Sequence, residues 1–126
     1  MARLLLVLIA FLVGCDQDPF HRGERVIAGR FRLMQWEDEQ TYYLITPDTR
    51  NSGGGLIDGT VHRIGWDTSR IVIERHPLVG DSLDWIVIDL HTRNLAGPYA
   101  KAQFDELSYV HAIPLVSPDA AWKKLR

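Results

Sequence analysis

Cysteine is almost missing from this chain: Cys15 is the only one in 126 residues. A single thiol closes no internal disulfide and gives zinc no Cys pair, so the fold depends on its own core. Long apolar runs are also missing. The longest, Leu4 to Val13, has ten residues and as a helix would rise about 15 Å, half of a bilayer's roughly 30 Å hydrocarbon core. Neither charge sign dominates, with Lys+Arg 14 against Asp+Glu 16 and a net charge of −2. The arginines are scattered, and no basic stripe interleaves with aromatics, which excludes a nucleic-acid surface. The chemical signatures that rest on spacing are absent as well. No G-x-S-x-G elbow holds a nucleophilic serine, no H-E-x-x-H set binds zinc, and no Gly-Lys-Ser/Thr follows a glycine-rich loop. What remains is an ordinary globular balance, 46% hydrophobic and 24% charged, with room for one domain.

The N-terminus carries the most specific signal. Met1-Ala2-Arg3 gives a positive start, the apolar run follows, and Gly14-Cys15-Asp16 ends it. A charged start, a short apolar stretch and a small residue before the break is the pattern of a secretory signal. A buried N-terminal helix with a chance cysteine does not account for polarity starting at once with Asp16, Gln17 and Asp18, or for the missing helix cap. Leu12-Val13-Gly14-Cys15 resembles the lipobox of bacterial lipoprotein precursors. The resemblance implies cleavage between Gly14 and Cys15, a diacylglycerol on the Cys15 sulfur and an acylated new N-terminus. Gly14 leaves the backbone open to a peptidase, and a thiolate is the nucleophile that such a transfer needs. Several acyl chains, at about 0.8 kcal/mol per buried methylene, make an effectively permanent anchor. Asp16 follows the anchor, and in lipoproteins like those of enteric bacteria aspartate at that position implies retention in the inner membrane.

This divides the chain into a signal peptide (1–14), a lipidated N-terminus and tether (15–25) and one β-rich domain (26–126). The tether DQDPFHRGER is polar and broken by Pro19 and Gly23. Five strands are expected at 30–36, 41–45, 60–66, 70–76 and 85–90, joined by short polar turns into an antiparallel meander. Asp67-Thr68-Ser69 is the strongest hairpin signal, and WIVIDL, the most apolar strand, belongs inside the sheet. A short helix is expected near 99–107. A C-terminal helix near 118–125 has Ser117 as N-cap, Pro118 at its first position, and Lys123 and Lys124 at its end. The fold class is therefore mainly β, of the α+β type. Its expected core is Phe31, Leu33, Leu44, Ile64, Ile71, Ile73, Trp85, Val87 and Phe104, closed at one end by Trp122. YYLITPDTRN (42–51) and WIVIDLHTRN (85–94) share Thr-Arg-Asn at an offset of 43, but two copies fall short of a repeat array.

Candidate chemistry is sparse. NSGGGLIDGT (51–60) lacks the spacing of a phosphate loop and reads as a flexible connection, the loop that most readily adjusts to a partner. Of five histidines, His21, His62, His76, His91 and His111, none has metal-ligand spacing, so the expectation is no metal and no cofactor. His62 and His76 are nevertheless on neighbouring strands, where they are able to meet. Asp84 and Asp89 bracket the apolar strand; burial of Asp89 would raise its pKa, but strand aspartates more often lie at an edge or bond a turn. Asp105-Glu106 reads as solvated helix charge. No nucleophile, base and orienting group assemble, so no catalytic residue is expected. The function expected is that of a lipid-anchored, monomeric envelope module that is not an enzyme and faces the periplasm or cell exterior. It would bind or support an envelope protein partner and no nucleic acid. The other reading is an inhibitor or immunity-type lipoprotein that blocks an envelope hydrolase with loop 47–60.

Overall fold

Strand structure begins as soon as the chain is described. A computed structural model describes residues 23–126, so Gly14, Cys15, Asp16 and His21 lie outside the described residues. The first strand, β1 (Glu24–Ala28), pairs antiparallel with β2 (Phe31–Gln35), which pairs with β3 (Tyr42–Ile45). Glu24 and Arg25, expected to end the tether, are thus strand residues. Gly29 turns β1 into β2 with a φ of 54°, a conformation that glycine adopts without cost.

A second antiparallel sheet contains β4 (Gly59–Trp66), β5 (Arg70–Pro77), β6 (Asp84–Asp89) and β7 (Leu95–Tyr99) in sequence order. The single five-strand meander is therefore corrected to two sheets, of three and four strands. The two missed strands have readable causes. β1 is short and only partly buried, so it lacks a clean alternation. β7 holds Gly97 and Pro98, which normally argue against a strand and are tolerated here on the sheet edge. Tyr99, expected in a helix, ends β7, and the helix itself shrinks to α1 (Lys101–Asp105).

The expected hairpin at Asp67 is present. The Asp67 carboxylate accepts from the backbone N–H groups of Ser69 and Arg70, both at 2.8 Å, and these bonds hold its pKa below the usual carboxylate range. The C-terminal helix, α2 (Pro118–Lys124), is capped as expected, with the Ser117 hydroxyl accepting from Ala120 N–H at 3.2 Å.

The four-stranded sheet is covered on both faces because its central strands are apolar on both sides. Ile71, Ile73, Ile86 and Ile88 face the three-stranded sheet and α2, where they pack with Leu33, Tyr42, Leu44, Ile64 and Trp122. Val72, Trp85 and Val87 face the other way, against Phe104, Val110 and Ile113. β6, the WIVIDL strand, lies between β5 and β7, inside the sheet as its composition requires. Every residue expected in the core is buried.

The chain after β7 makes the second cover. α1 and a 3-10 turn (Ser108–Val110) place Phe104 and Val110 beneath the sheet. The chain then returns to β4, where Ile64 and Val116 exchange two backbone hydrogen bonds of 2.9 Å.

Candidate functional site

The site arises from one irregularity in β4. Val61 pairs with Arg75 and Arg63 with Glu74, so His62 is the extra residue of a bulge. Two residues then oppose one, and the bulged side chain is re-aimed. His62 and Arg63 both become exposed while Val61 and Ile64 remain buried on either side.

From the bulge, His62 touches two residues of β5. Its Nδ1 lies 2.8 Å from Nε2 of His76, with ring centroids 4.6 Å apart and planes near perpendicular at 84°. Its Nε2 lies 3.4 Å from Oε1 of Glu74. The result is a row of one carboxylate and two imidazoles, hydrogen-bonded between the rings and in ion-pair contact at the carboxylate. With Glu74 beside Nε2, the His62 tautomer protonated at Nε2 is favoured, leaving Nδ1 to accept from Nε2–H of His76.

Glu74 is the fixed point of this row. It is only 3% exposed, and its carboxylate accepts two hydrogen bonds from Arg63, Nε at 3.0 Å and Nη2 at 2.5 Å. Trp85 Nε1–H donates a third at 3.2 Å. Burial pushes the carboxyl pKa up, but the Arg63 hydrogen bonds and charge, with smaller help from His62 and Trp85, outweigh burial and hold it below its ordinary value. The same Glu74 bond raises the Arg63 pKa. Trp85 is itself fixed by stacking on Phe104, with centroids 5.4 Å apart and 15° between planes. The packed face beneath the sheet therefore holds the carboxylate that orients His62.

The histidine pair opens into a cleft of about 390 Å³ where the two sheets meet, bounded by Gln40, Thr41, Tyr42, Thr60, Val61 and Pro118. The Tyr42 hydroxyl accepts from Gln35 Nε2 at 2.9 Å and donates to Asp119 at 3.3 Å. Burial is the main cause of its raised pKa. The Thr41 hydroxyl donates to Asp38 at 2.5 Å. The cleft thus sets the two imidazoles beside residues that carry hydroxyl and amide groups, an arrangement for binding, for proton relay, or for holding a cation through nitrogen.

Other residues selected from the sequence are spread apart. Asp84 is paired with Arg75, Nε to Oδ1 at 2.8 Å and Nη2 to Oδ2 at 2.6 Å. Asp89 bonds the turn after β6, as strand aspartates usually do: it accepts from the N–H groups of Thr92 and His91, and these bonds lower its pKa. His111 Nε2 sits 2.8 Å from the Asp105 carbonyl, His91 is exposed in the turn after β6, and Asp105 pairs with Lys101 at 2.9 Å.

Loop 51–60 is also corrected, because it is pinned. Leu56 N–H donates to the Leu44 carbonyl at 2.8 Å, Ile57 is buried in the core, and the Arg75 guanidinium donates to the Ile57 carbonyl. The two Thr-Arg-Asn segments likewise have no common setting. One follows the β3 edge strand, and the other forms the β6–β7 turn.

Glu74 and Arg63 were not selected from the sequence, and Trp85 was expected there only as a core residue. The available signal was a lone glutamate inside the apolar stretch RIVIERH, where a charge on a covered strand requires a partner. Among the described residues, no three histidine, cysteine, aspartate or glutamate side chains converge as a ready-made metal cluster, and no helix is long and apolar enough to cross a membrane. Comparison with protein-family models, curated proteins and solved structures finds no match for this chain.

Proposed function

We propose that this chain is a lipid-anchored binding module of the bacterial cell envelope, attached through Cys15 and facing the periplasm or cell exterior. The observation that carries this reading is the run Leu12-Val13-Gly14-Cys15, ending an apolar stretch too short to span a bilayer and followed at once by Asp16. The domain begins a few residues later, with β1 at Glu24, so the anchor and the folded part are separate and the tether between them is short. The module acts by binding, as a monomer that recognises an envelope protein partner, and not by catalysis. The cleft beside His62 and His76 supplies a concave surface with convergent polar groups. Leu78 and Val79, directly beyond β5, are highly exposed and supply an apolar contact. Aspartate at position 16, by its resemblance to the lipoproteins of enteric bacteria, supports retention of the anchor in the inner membrane.

Metabolic labelling with a fatty acid tests the anchor. Cys15→Ser should lose the label and accumulate an uncleaved precursor, because the thiol is the acyl acceptor. Undiminished label in that variant rejects the anchor. Membrane fractionation tests the Asp16 reading, which fails if the protein is recovered wholly in the outer membrane.

A further inference from the structure

The geometry points to a copper(II) site at the cross-strand pair His62–His76, with Glu74 positioning His62 from behind. This inference is independent of the anchor.

The two nitrogens nearest each other, His62 Nδ1 and His76 Nε2, are 2.8 Å apart. Copper–imidazole bonds of about 2.0 Å meeting at 90°, as in tetragonal coordination, span about 2.8 Å between cis nitrogens. A tetrahedral angle at the same bond length requires about 3.3 Å. The observed separation therefore fits a tetragonal ion without moving the strands. A divalent ion takes the place of the hydrogen bond between the rings: neutral His76 changes tautomer, its proton leaving Nε2 while Nδ1 takes one up from water, so no net proton is released, and each ring rotates about its Cβ–Cγ bond to aim its lone pair.

The partner behind His62 separates this pair from a chance surface contact. Metal-bound histidines donate their other ring N–H to a carboxylate, which fixes the tautomer and strengthens the ligand. Glu74 lies on that side of His62, its Oε1 in ion-pair contact with Nε2 at 3.4 Å, and is itself fixed by Arg63 and Trp85. Arg63 and Arg75, the chain neighbours of His62 and His76, are paired with Glu74 and Asp84, so neither opposes the approach of a metal cation as an unpaired charge. The coordinating atoms are imidazole nitrogens without a carboxylate oxygen, a donor set that selects late first-row metals over magnesium or calcium, and copper(II) stands highest in that series. The remaining equatorial positions open to the cleft and take water or a small ligand of the binding partner.

The test is titration of the full-length chain in detergent with Cu²⁺ alone, followed by electron paramagnetic resonance. One tight equivalent with a tetragonal spectrum showing coupling to two nitrogens is expected. His62→Gln and His76→Gln, both at exposed positions, should each weaken binding at least tenfold, and the double variant should remove the equivalent. Glu74→Gln, with its fold checked by circular dichroism, should keep the two-nitrogen spectrum and weaken affinity by about 10- to 100-fold. Absence of a tight equivalent, or an equivalent that survives the double histidine variant, overturns the assignment. If Glu74→Gln fails to fold, the histidine variants alone decide.

Discussion

The Arg25 guanidinium lies over the Trp122 ring, 4.2 Å from its centroid, and donates to the carbonyls of Trp122 and, at 3.1 Å, Leu125. One side chain from the first strand thus covers the aromatic anchor of the last helix and satisfies carbonyls that the helix end leaves without partners. Trp122 in turn packs against Tyr42, with centroids 6.0 Å apart. Trp122→Ala should destabilise by about 3–5 kcal/mol, the usual cost of emptying a buried aromatic position. Arg25→Ala should lose about 1–2 kcal/mol from the cation–π contact and the carbonyl bonds. Because the residues share one contact, the double variant should fall short of the sum by at least about 0.5 kcal/mol. Thermal or urea melts of the four proteins measure this, and strict additivity rejects the coupling.

Gly65 has a different role, since it lets the C-terminal chain approach β4. A Cβ there would run into the Pro114 carbonyl and the Ile113 side chain. Gly65→Ala should therefore push residues 113–116 off the sheet and weaken the paired Ile64–Val116 bonds, at a cost of about 1–3 kcal/mol. Faster hydrogen exchange at Ile64 and Val116 than at Ile73 and Ile86 should locate the damage. Uniform exchange would mean that the close approach does not matter.

How much of this was legible in the sequence follows from what is local and what is not. The Asp67 turn and the Ser117 cap are set by side chains bonding backbone within three residues, so composition reveals them. The core was legible because Ile71, Ile73, Trp85 and Val87 are too apolar to remain in water. Division into two sheets was not, since it depends on the 46–58 connection carrying the chain away from β3 while pinning itself through Leu56 and Ile57. The His62–His76 approach was legible from a shared hairpin. Its orientation by Glu74 was not, because a bulge shifts register by one residue with no mark in the local pattern.

Glu74 gives the site a pH dependence with a definite sign. Its folded pKa lies below the unfolded value of about 4.5, so the unfolded chain binds more protons where the two differ. The stabilisation it contributes is complete above that unfolded value and should fade as pH drops through the lower folded pKa. Arg63→Ala leaves the burial and removes the main opposing contact, so the carboxyl pKa should rise above its unfolded value. That variant should lose on the order of 1–2 kcal/mol near neutral pH, less than a fully buried pair because the Arg63 side chain is half exposed and screened by solvent, and recover part of it on acidification, the reverse of the parent. Chemical denaturation between pH 3 and pH 7 checks both slopes, and parallel slopes would dismiss Arg63 as the controlling partner.

The last prediction concerns where the folded unit begins. Gly23 accepts a hydrogen bond from Gln35 N–H at 3.3 Å. Glu24 pairs with Met34 across the sheet and binds Arg50 through both carboxylate oxygens, at 2.5 and 3.0 Å. The Glu24 carboxylate thereby ties the edge strand to the loop that leaves β3. A chain starting at residue 23 keeps all of these contacts. One starting at residue 25 keeps Arg25 over Trp122 but leaves the Arg50 guanidinium without this carboxylate. Residues 23–126 should therefore give a monomeric, β-rich protein with one cooperative melt. Residues 25–126 should melt several degrees lower, for a loss of about 1–2 kcal/mol. Glu24→Gln in the longer chain should reproduce most of that drop, since it removes the charge and keeps the strand. If the two truncations melt together, the folded unit begins after Glu24 and the tether is longer by two residues.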